Sequence, residues 1–194
     1  MRVPLCDPAG PLPVTIHRLA DEHLPILARA LDGPYADFYA GRMPLQRDGR
    51  GFTLLAMARH SAEPVGGVFV LRDAPDEREV RVELPGVPML YKAFVAEAVR
   101  NRRVGTQLLG CTHELLRRLG HDRVALGVDT ANKDAVRLYE RLGYRPWPRL
   151  SYGAGHTRYR IMVLDLLDGD RTRDWCRQLC ACVLAAAACP WQAA

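Results

Sequence analysis

The chain has very little lysine. Only Lys92 and Lys133 contribute lysine to its 27 basic residues, so almost all of the positive charge is arginine. The net charge of +5 is not concentrated in one run, and no helix-turn-helix, zinc-finger or RNA-binding signature accompanies it. A guanidinium matches phosphate geometry, which leaves anion binding open, although codon bias explains most of the arginine excess. These features predict no nucleic-acid partner.

Long apolar segments are also missing. The longest candidate, Leu179 to Cys189, is far too short to span a bilayer. The first residues, Met1 to Pro8, lack the apolar core of a signal peptide. The sequence therefore predicts a cytoplasmic protein without a membrane partner.

The six cysteines do not show the paired spacing of a zinc site. Four of them form the pattern C-x3-C-x-C-x6-C, whereas zinc ligands usually come as C-x2-C or C-x2-H pairs; they are Cys176, Cys180, Cys182 and Cys189. We expect apolar helix positions rather than metal ligands, and we predict no metal site. In a cytosolic chain all six thiols should be reduced. Cys111 lies on the apolar face of its predicted helix, which predicts burial rather than a nucleophilic role.

The composition indicates one globular domain. With 194 residues, 48% of them hydrophobic and 25% charged, the chain is long enough to bury a core. Residues 1–13 contain four prolines and should form an irregular N-terminal segment. The domain is predicted over 14–167. The tail, 168–194, is helical or disordered, and a tail that packs against a second copy would produce a homodimer.

Local patterns predict the elements of the first half of the domain. Asp21 suits an N-cap, and Gly33-Pro34 suits the end of the helix that it opens. The alternation over Glu79 to Leu84 indicates an extra strand. In chain order we predict a strand (14–19), a helix (21–31), a short helix with a loop (35–50), two hairpin strands (51–60 and 64–73) and the extra strand.

The second half alternates strands with helices. Apolar residues recur at helical spacing from Val104 to Leu119, and Gly120 suits the C-terminal cap. The other predicted elements are strands at 89–96 and 123–128, a helix at 132–142 and closing strands at 144–147 and 159–166. A strand–helix–strand–helix unit within a mostly antiparallel sheet is a mixed α/β fold of the α+β kind.

A basic loop precedes the helix that begins at Val104. A helix start offers free backbone N–H donors and a partial positive charge, which suits a pyrophosphate. Gly105 lets a ligand approach the backbone. Arg100, Arg102 and Arg103 add charge-assisted donors, and Thr106 adds a hydroxyl. An ordinary basic turn that opens a surface helix is the alternative, and the loop alone does not decide between the two.

The loop resembles the acetyl-CoA loop of the GNAT superfamily of N-acetyltransferases. That pattern is Arg or Gln, two residues, Gly, one residue, then Gly or Ala. Arg100 and Gly105 match its first and last positions, and Val95 matches the valine that ends the preceding strand. Arg103 stands where the first glycine is expected. It either adds a phosphate contact or crowds the loop.

A second segment resembles the same family over a longer run. The family pattern is a strand, an asparagine, and a helix reading Ala-x-x-Leu-Tyr-Glu-x-x-Gly-Phe/Tyr. Here the strand leads to Asn132, and the helix reads Ala135-x-x-Leu138-Tyr139-Glu140-x-x-Gly143-Tyr144. Both segments occur in the expected order and at the expected spacing, and the predicted elements follow the family over about residues 14–166.

The resemblance implies a fold, a reaction and a set of site residues. It implies a GNAT-like domain with a central mixed, mostly antiparallel sheet of six to seven strands flanked by helices. The enzyme would move an acetyl group from acetyl-CoA to a primary amine by direct transfer in a ternary complex. Tyr139 would be the general acid to the leaving thiolate. The implied cofactor-binding residues are Phe94, Val95, Arg100, Asn101, Arg102, Arg103, Val104, Gly105, Thr106 and Asn132.

The amine acceptor is not identified by the sequence. It is a small molecule or a peptide, and its contacts are expected near the first two helices and the last strands, at Tyr35, Asp37, Tyr39 and the His156 loop. The candidate general bases are Glu83, Glu97 and Asp129, and no motif chooses among them. Two alternatives to the main hypothesis stay open: transfer from a different acyl-CoA, and a non-catalytic domain that binds CoA.

Overall fold

The protein is built on one seven-stranded sheet. The computed structural model describes residues 10–31, 33–61, 63–73, 75, 78–154 and 157–167, with only the backbone given at 79, 149–154 and 157–158. The strands are β1 (Val14–Arg18), β2 (Gly51–Ala58), β3 (Pro64–Leu71), β4 (Met89–Val95), β5 (Arg123–Asp129), β6 (Arg145–Ala154) and β7 (Thr157–Asp165). The helices are α1 (Leu24–Ala30), α2 (Gly33–Gly41), α3 (Met43–Arg47), α4 (Arg78–Glu83), α5 (Val104–Arg118) and α6 (Lys133–Arg141).

The strand order confirms the predicted architecture. Across the sheet the order is β1-β2-β3-β4-β5-β7-β6. Every neighbouring pair is antiparallel except β4 and β5, which run parallel because α5 forms the crossover between them. The sheet is therefore mixed and mostly antiparallel, with helices flanking it, as the sequence predicts.

The parallel pair separates soon after it forms. Only Met89 with Ala125 and Leu90 with Leu126 are paired, although β4 runs on to Val95 and β5 runs on to Asp129. A β-bulge in β4 contributes to the divergence, because three steps along β4 from Tyr91 to Phe94 face two steps along β3. Between these strand ends lies a wedge-shaped opening.

The two faces of the sheet carry different helices. One core cluster joins the sheet to α5 through Leu108, Leu115 and Leu116, and it also includes Tyr139 and Leu142 of α6. A second cluster joins the opposite face to the first three helices, through Leu27, Tyr39 and Met43. The sheet is therefore covered by helices on both sides.

The first helices begin differently from the prediction. Asp21 is not an N-cap: it is the first residue of a 3-10 turn, Asp21–His23, and its carboxylate pairs with Arg47 at 2.8 Å. The turn is closed at its start by Nδ1 of His23, which accepts from the N–H of Ala20 at 2.9 Å. Gly33-Pro34 opens α2 instead of ending α1, because proline fits the first turn of a helix.

The extra strand predicted over 79–84 is wrong, since this segment is the helix α4. Val80 and Leu84 are buried, whereas Val82 is 68% exposed. Residues four apart share one face of a helix, but in a strand Val82 would share the face of Val80 and Leu84. The Val-x-Val-x-Leu pattern fits either period, and the packing of Val80 and Leu84 decides between them.

Several predictions concern parts of the chain outside the described residues. They include the irregular segment up to residue 9, the tail after 167 and every cysteine except Cys111. Cys111 is buried as predicted, with 2% of its surface exposed. It is disulfide-bonded, so the expectation of a reduced thiol is wrong at this position.

In the described part of the chain, no helix has both the length and the apolar character needed to cross a membrane.

Candidate active site

A cleft of about 760 Å³ opens where β4 and β5 diverge. Its wall is formed by the end of β4, the start of α5 and one face of α6, and Tyr35 of α2 closes one end. The sequence-predicted residues that line it are Phe94, Val95, Arg100, Asn101, Arg103, Val104, Gly105, Thr106, Asn132 and Tyr139. One topological feature thus brings together residues that lie 45 positions apart in the chain.

The loop before α5 presents its backbone to this cleft. Arg103 precedes the helix in a left-handed conformation, with φ 59° and ψ 14°, and Asn101 has φ 64°. The helical hydrogen bonds of α5 start with the N–H of Gln107 bonding to the carbonyl of Arg103 at 3.0 Å. The N–H groups of Val104, Gly105 and Thr106 precede that bond and have no acceptor within the helix. This geometry suits an anion at the helix start.

The left-handed conformation explains why the family pattern has glycine at position 103. Glycine takes positive φ without strain, whereas a residue with a Cβ is strained there by about 1 kcal/mol or more. Arg103 keeps the turn despite this strain, and its side chain lines the cleft. Arginine in place of glycine at position 103 therefore makes the loop conformation more strained but does not alter it.

Arg102 is the one predicted cofactor residue that does not line the cleft. Its Nε donates to the carbonyl of Gly10 at 3.2 Å, and its own carbonyl accepts from the N–H of Leu12 at 3.0 Å. The side chain is therefore directed to the segment before β1. The contact joins residues 92 positions apart, so no local pattern could have revealed it.

Gln107 supports the same loop and was not singled out by the sequence. Its buried side-chain amide donates to the carbonyl of Leu12 at 3.0 Å and to that of Arg103 at 3.3 Å. One side chain thus links the N-terminal segment to the left-handed residue. Because a glutamine near a helix start is unremarkable, the sequence carries no signal for this role.

Gly105 has a packing role besides its place in the cleft. A Cβ added there would lie 3.1 Å from Cδ2 of Leu138 and 3.5 Å from Cγ2 of Val95. The absence of a side chain lets α5, α6 and β4 approach one another closely. The sequence predicts that Gly105 lets a ligand come close to the backbone. The structure shows that it also lets the helices pack closely together.

Asn132 marks the start of α6. Its side-chain oxygen accepts from the N–H of Ala135 at 3.0 Å, which is the hydrogen bond of an N-cap. Since that oxygen is engaged, its amide NH₂ is the group available to a ligand in the cleft.

Tyr139 occupies the inner wall of the cleft, with 8% of its surface exposed. Burial, and to a smaller extent the nearby phenol of Tyr35, raises the pKa of its phenol to about 12. The hydroxyl therefore stays protonated across the physiological range. A protonated hydroxyl on the wall of the cleft can donate a hydrogen bond or a proton.

Tyr139 is supported from behind by a buried pair. Its ring meets that of Tyr144 edge-on at 5.6 Å, and the hydroxyl of Tyr144 lies 2.8 Å from Nε2 of His113. His113 is fully buried, and desolvation lowers its pKa to about 3, followed by a smaller effect of Arg117. The imidazole is neutral, and it fixes Tyr144 against Tyr139.

The acceptor end of the cleft is aromatic. The rings of Tyr35 and Phe94 lie 5.4 Å apart, and Nζ of Lys92 lies 5.7 Å from the centroid of Tyr35. Tyr39 was a candidate acceptor contact, but it is fully buried, and its hydroxyl donates to the carbonyl of Lys92 at 2.5 Å. Asp37 is exposed and does not line the cleft, and the His156 loop lies outside the described residues.

None of the three candidate bases lines the cleft. Glu83 and Glu97 are exposed, on α4 and on the turn after β4. Asp129 is partly buried, and its Oδ1 accepts from the N–H of Ala131 at 2.8 Å. Among the described lining residues the one carboxylate is Asp134, which is exposed on α6 and ion-paired with Arg137 at 3.5 Å.

The cleft fits the acetyl-CoA that the resemblance implies. The free N–H groups at the start of α5 and the side chains of Arg100 and Arg103 suit phosphates. The ends of β4 and β5, which have separated, leave main-chain groups of Phe94 and Val95 facing the opening. Anionic and amide-bearing parts of one extended ligand therefore both find matching groups.

Comparison with known proteins agrees with this geometry. The family model described as "Acetyltransferase (GNAT) family" matches residues 16–144. No curated protein matches the chain significantly.

Solved structures show the same fold at low identity. Arabidopsis thaliana NAA60, solved with acetyl-CoA, has a TM-score of 0.62 at 18% identity, covering 81% of this chain and 100% of its own. An acetyltransferase of the GNAT family from Staphylococcus aureus Mu50 scores 0.58 at 18% identity, covering 79% and 99%. A spermidine/spermine N-acetyltransferase from Vibrio cholerae scores 0.57 at 13% identity, covering 79% and 92%. With the family model matching most of its length, the chain belongs to the GNAT acetyltransferase family and is an acyl-CoA-dependent N-acyltransferase.

Proposed function

We propose that the protein transfers an acetyl group from acetyl-CoA directly to a primary amine, with Tyr139 as the general acid. The observation that carries the proposal is the burial of Tyr139 in the same cleft as the helix start that suits the phosphates. The acceptor is a small molecule or a peptide. We also propose that residues 14–167 act as one domain in the cytoplasm, and that a homodimer, if one forms, uses the tail.

The donor supplies a thioester, whose carbonyl the amine attacks and whose sulfur departs as a thiolate. In the proposal the start of α5, Arg100 and Arg103 bind the phosphates, and Phe94, Val95 and Asn132 bind the amide-bearing arm. Arg102 supports the loop from behind, since its side chain bonds to Gly10. Holding both reactants in one cleft supplies proximity without a covalent enzyme intermediate.

Tyr139 donates its phenolic proton to the sulfur as the carbon–sulfur bond breaks. A phenol with a pKa of about 12 is a weak acid towards a thiolate in water. The same burial disfavours a bare thiolate in the cleft, so a proton donor to the sulfur is needed there. The tyrosinate that the transfer leaves is reprotonated by the proton that the amine nitrogen loses as the amide forms, so that no charge stays buried.

The amine must be neutral when it attacks. Since no described carboxylate lines the acceptor end, we propose that the amine loses its proton to water before the attack. The rate should then rise with pH until the acceptor's own amine has titrated. A carboxylate base would instead give a plateau set by the enzyme.

Initial rates of thiol release from acetyl-CoA test the proposal. Double-reciprocal plots against amine and acetyl-CoA should intersect, because both substrates are bound together; parallel lines would indicate a covalent intermediate. Tyr139→Phe should lower kcat about 100-fold, within the usual range for general acid catalysis, and leave the Kd of acetyl-CoA within about twofold.

Tyr159→Phe is the matched control, because it removes a phenol that does not line the cleft. Unchanged turnover in Tyr139→Phe would remove the general-acid role. Stabilisation of the fold by acetyl-CoA without thiol release on any amine would point to a domain that only binds CoA. Faster turnover with a longer acyl-CoA would correct the donor.

A further inference from the structure

The acceptor end of the cleft combines aromatic walls with an unbalanced positive charge. Tyr35 and Phe94 are both partly exposed, and their rings lie 5.4 Å apart at a tilt of 51°. The two tilted rings form an apolar wall of the cleft that Tyr139, the proposed acid, also lines. A ligand with a ring can bury it against this surface, and offset or edge-on contact between rings adds about 0.5–1.5 kcal/mol beyond the area buried.

Lys92 supplies the charge. It lies at the bulge of β4, is exposed, and has its ammonium 5.7 Å from the centroid of Tyr35. In the described part of the chain the ammonium of Lys92 contacts the ring of Tyr35, which lines the cleft, and no carboxylate lies within ion-pair distance of it. The ammonium is therefore available to a ligand anion at the edge of the aromatic surface.

The surrounding charges have the same sign. Besides Arg100 and Arg103, which the proposed function assigns to the phosphates, the described lining carries Arg141 and one carboxylate, Asp134, which Arg137 already pairs. An acceptor with several ammonium groups would find like charges here and no acidic pocket.

Resting on the proposed acetyl transfer, we infer that the acceptor is a primary amine on an aromatic body that also carries a carboxylate. In this arrangement the ring packs on Tyr35 and Phe94, the carboxylate pairs with Lys92, and the amine faces the thioester beside Tyr139. Lys92 is the specificity-determining residue, because it favours an anionic group over a second cation at the edge of the surface.

A panel of matched amines tests the inferred preference for a carboxylate, through kcat/KM for thiol release. The panel contains an aromatic α-amino acid, its amide, the corresponding amine without a carboxyl group, and a linear polyamine. We expect the amino acid to exceed its amide and the carboxyl-free amine about tenfold, and the polyamine to be the poorest substrate. A wild-type preference for the polyamine, or equal rates for the amino acid and its amide, would overturn the inference.

Charge reversal at the two lysines of the chain makes the test specific. Lys92→Glu should lower kcat/KM for the amino acid more than tenfold and raise it for the polyamine, whereas Lys92→Gln should abolish the difference between the amino acid and its amide. Lys133→Glu is the control, since Nζ of Lys133 bonds to the carbonyl of Thr130 at 2.9 Å at the start of α6 and has no contact with Tyr35. An equal change on all amines in Lys92→Glu would overturn the inference.

The aromatic surface has its own readout. Tyr35→Ala should raise KM for the aromatic amines with little change in kcat, and Tyr35→Phe should restore the wild-type KM. A KM that does not change in Tyr35→Ala would contradict packing of the ring there.

The outcomes also separate this inference from the proposed function. If amines are turned over in another order of preference, the inferred preference for a carboxylate is wrong, but acetyl transfer remains the proposed function. Absence of turnover on every amine, with acetyl-CoA still stabilising the fold in a thermal shift, overturns the proposed function and this inference with it.

Discussion

The imidazole of His113 and the phenol of Tyr144 form a buried pair, with Nε2 and the hydroxyl oxygen 2.8 Å apart. His113 lies on α5 and Tyr144 follows α6, so this one contact joins the two helices that border the cleft. Nδ1 of His113 has no hydrogen-bond partner among the described residues, and desolvation of the ring is therefore not offset by a second bond. The pair both positions Tyr139 and makes the fold sensitive to acid.

The first prediction concerns stability below neutral pH. The pKa of His113 is about 3 in the folded state against 6.5 for a histidine in the unfolded chain, because burial disfavours the imidazolium. Between these values the unfolded chain binds a proton that the folded chain excludes. The stabilisation is complete above pH 6.5 and is lost as pH falls towards 3, with a slope approaching about 1.4 kcal/mol per pH unit.

Urea unfolding of the wild type and His113→Gln from pH 7 to 4.5 measures this slope. Glutamine keeps a hydrogen-bond partner for Tyr144 but does not titrate. The free energy of unfolding of the variant should therefore fall less steeply with acid, while carboxylates affect both proteins alike. Identical slopes would show that His113 does not carry the acid sensitivity.

The second prediction concerns Arg103 and its left-handed backbone. Arg103→Gly should raise the free energy of unfolding by about 0.5–1 kcal/mol, because the relief of strain exceeds glycine's extra freedom in the unfolded chain. Arg103→Ala keeps the strain and should not. Chemical denaturation compares the two variants.

Both Arg103 variants remove the guanidinium, so their affinity for acetyl-CoA reports on the side chain alone. We expect the Kd to rise five- to tenfold in each, since an exposed charge-assisted contact to phosphate contributes about 1 kcal/mol. Calorimetric titration at two salt concentrations measures it. Tighter binding by both variants would show instead that the arginine crowds the loop.

The third prediction concerns the contact between α5 and α6. In Gly105→Ala the new Cβ would meet Cδ2 of Leu138 at 3.1 Å, so the variant should lose about 1 kcal/mol of stability despite the better helix propensity of alanine. In a Leu138→Ala background the same change should become neutral or stabilising. Thermal unfolding of the four proteins gives the coupling energy.

Gly41→Ala is the control for that cycle, because a Cβ at this helical glycine meets nothing within 4 Å. It should be neutral or slightly stabilising in both backgrounds. Additive effects of Gly105→Ala and Leu138→Ala would show that the helices adjust without cost.

The sequence predictions succeed where a feature depends on residues close together in the chain and fail where it depends on distant ones. The periodicity of α5 and the hairpin of β2 and β3 depend on near neighbours, and the structure confirms both. Some short segments have an apolar pattern that fits both a helix and a strand, as in α4. Their secondary structure is determined by the residues against which they pack. The sequence pattern of residues 79–84 does not contain that information.

Site residues follow the same rule. Motif positions around Tyr139 and Gly105 reach the cleft because the strand–helix framework alone places them there. The direction of Arg102 depends on Gly10, and the burial of Tyr39 depends on the bulge at Lys92. The role of Lys92 beside Tyr35 arises in the same way, from a contact between α2 and β4 that no spacing encodes.

The last prediction tests whether Tyr39 maintains that bulge. Its hydroxyl donates to the carbonyl of Lys92, a residue held at φ 50°, and the bulge directs the end of β4 into the cleft. Tyr39→Phe leaves a buried carbonyl without this donor and should cost about 1–2 kcal/mol in the free energy of unfolding. The Kd of acetyl-CoA should rise several-fold, because the main chain of Phe94 and Val95 is less well fixed. Tyr35→Phe, on the same helix, should change neither quantity. A Tyr39→Phe protein with normal stability and normal acetyl-CoA affinity would mean that the bulge is maintained by the strand pairing of β3 and β4 alone.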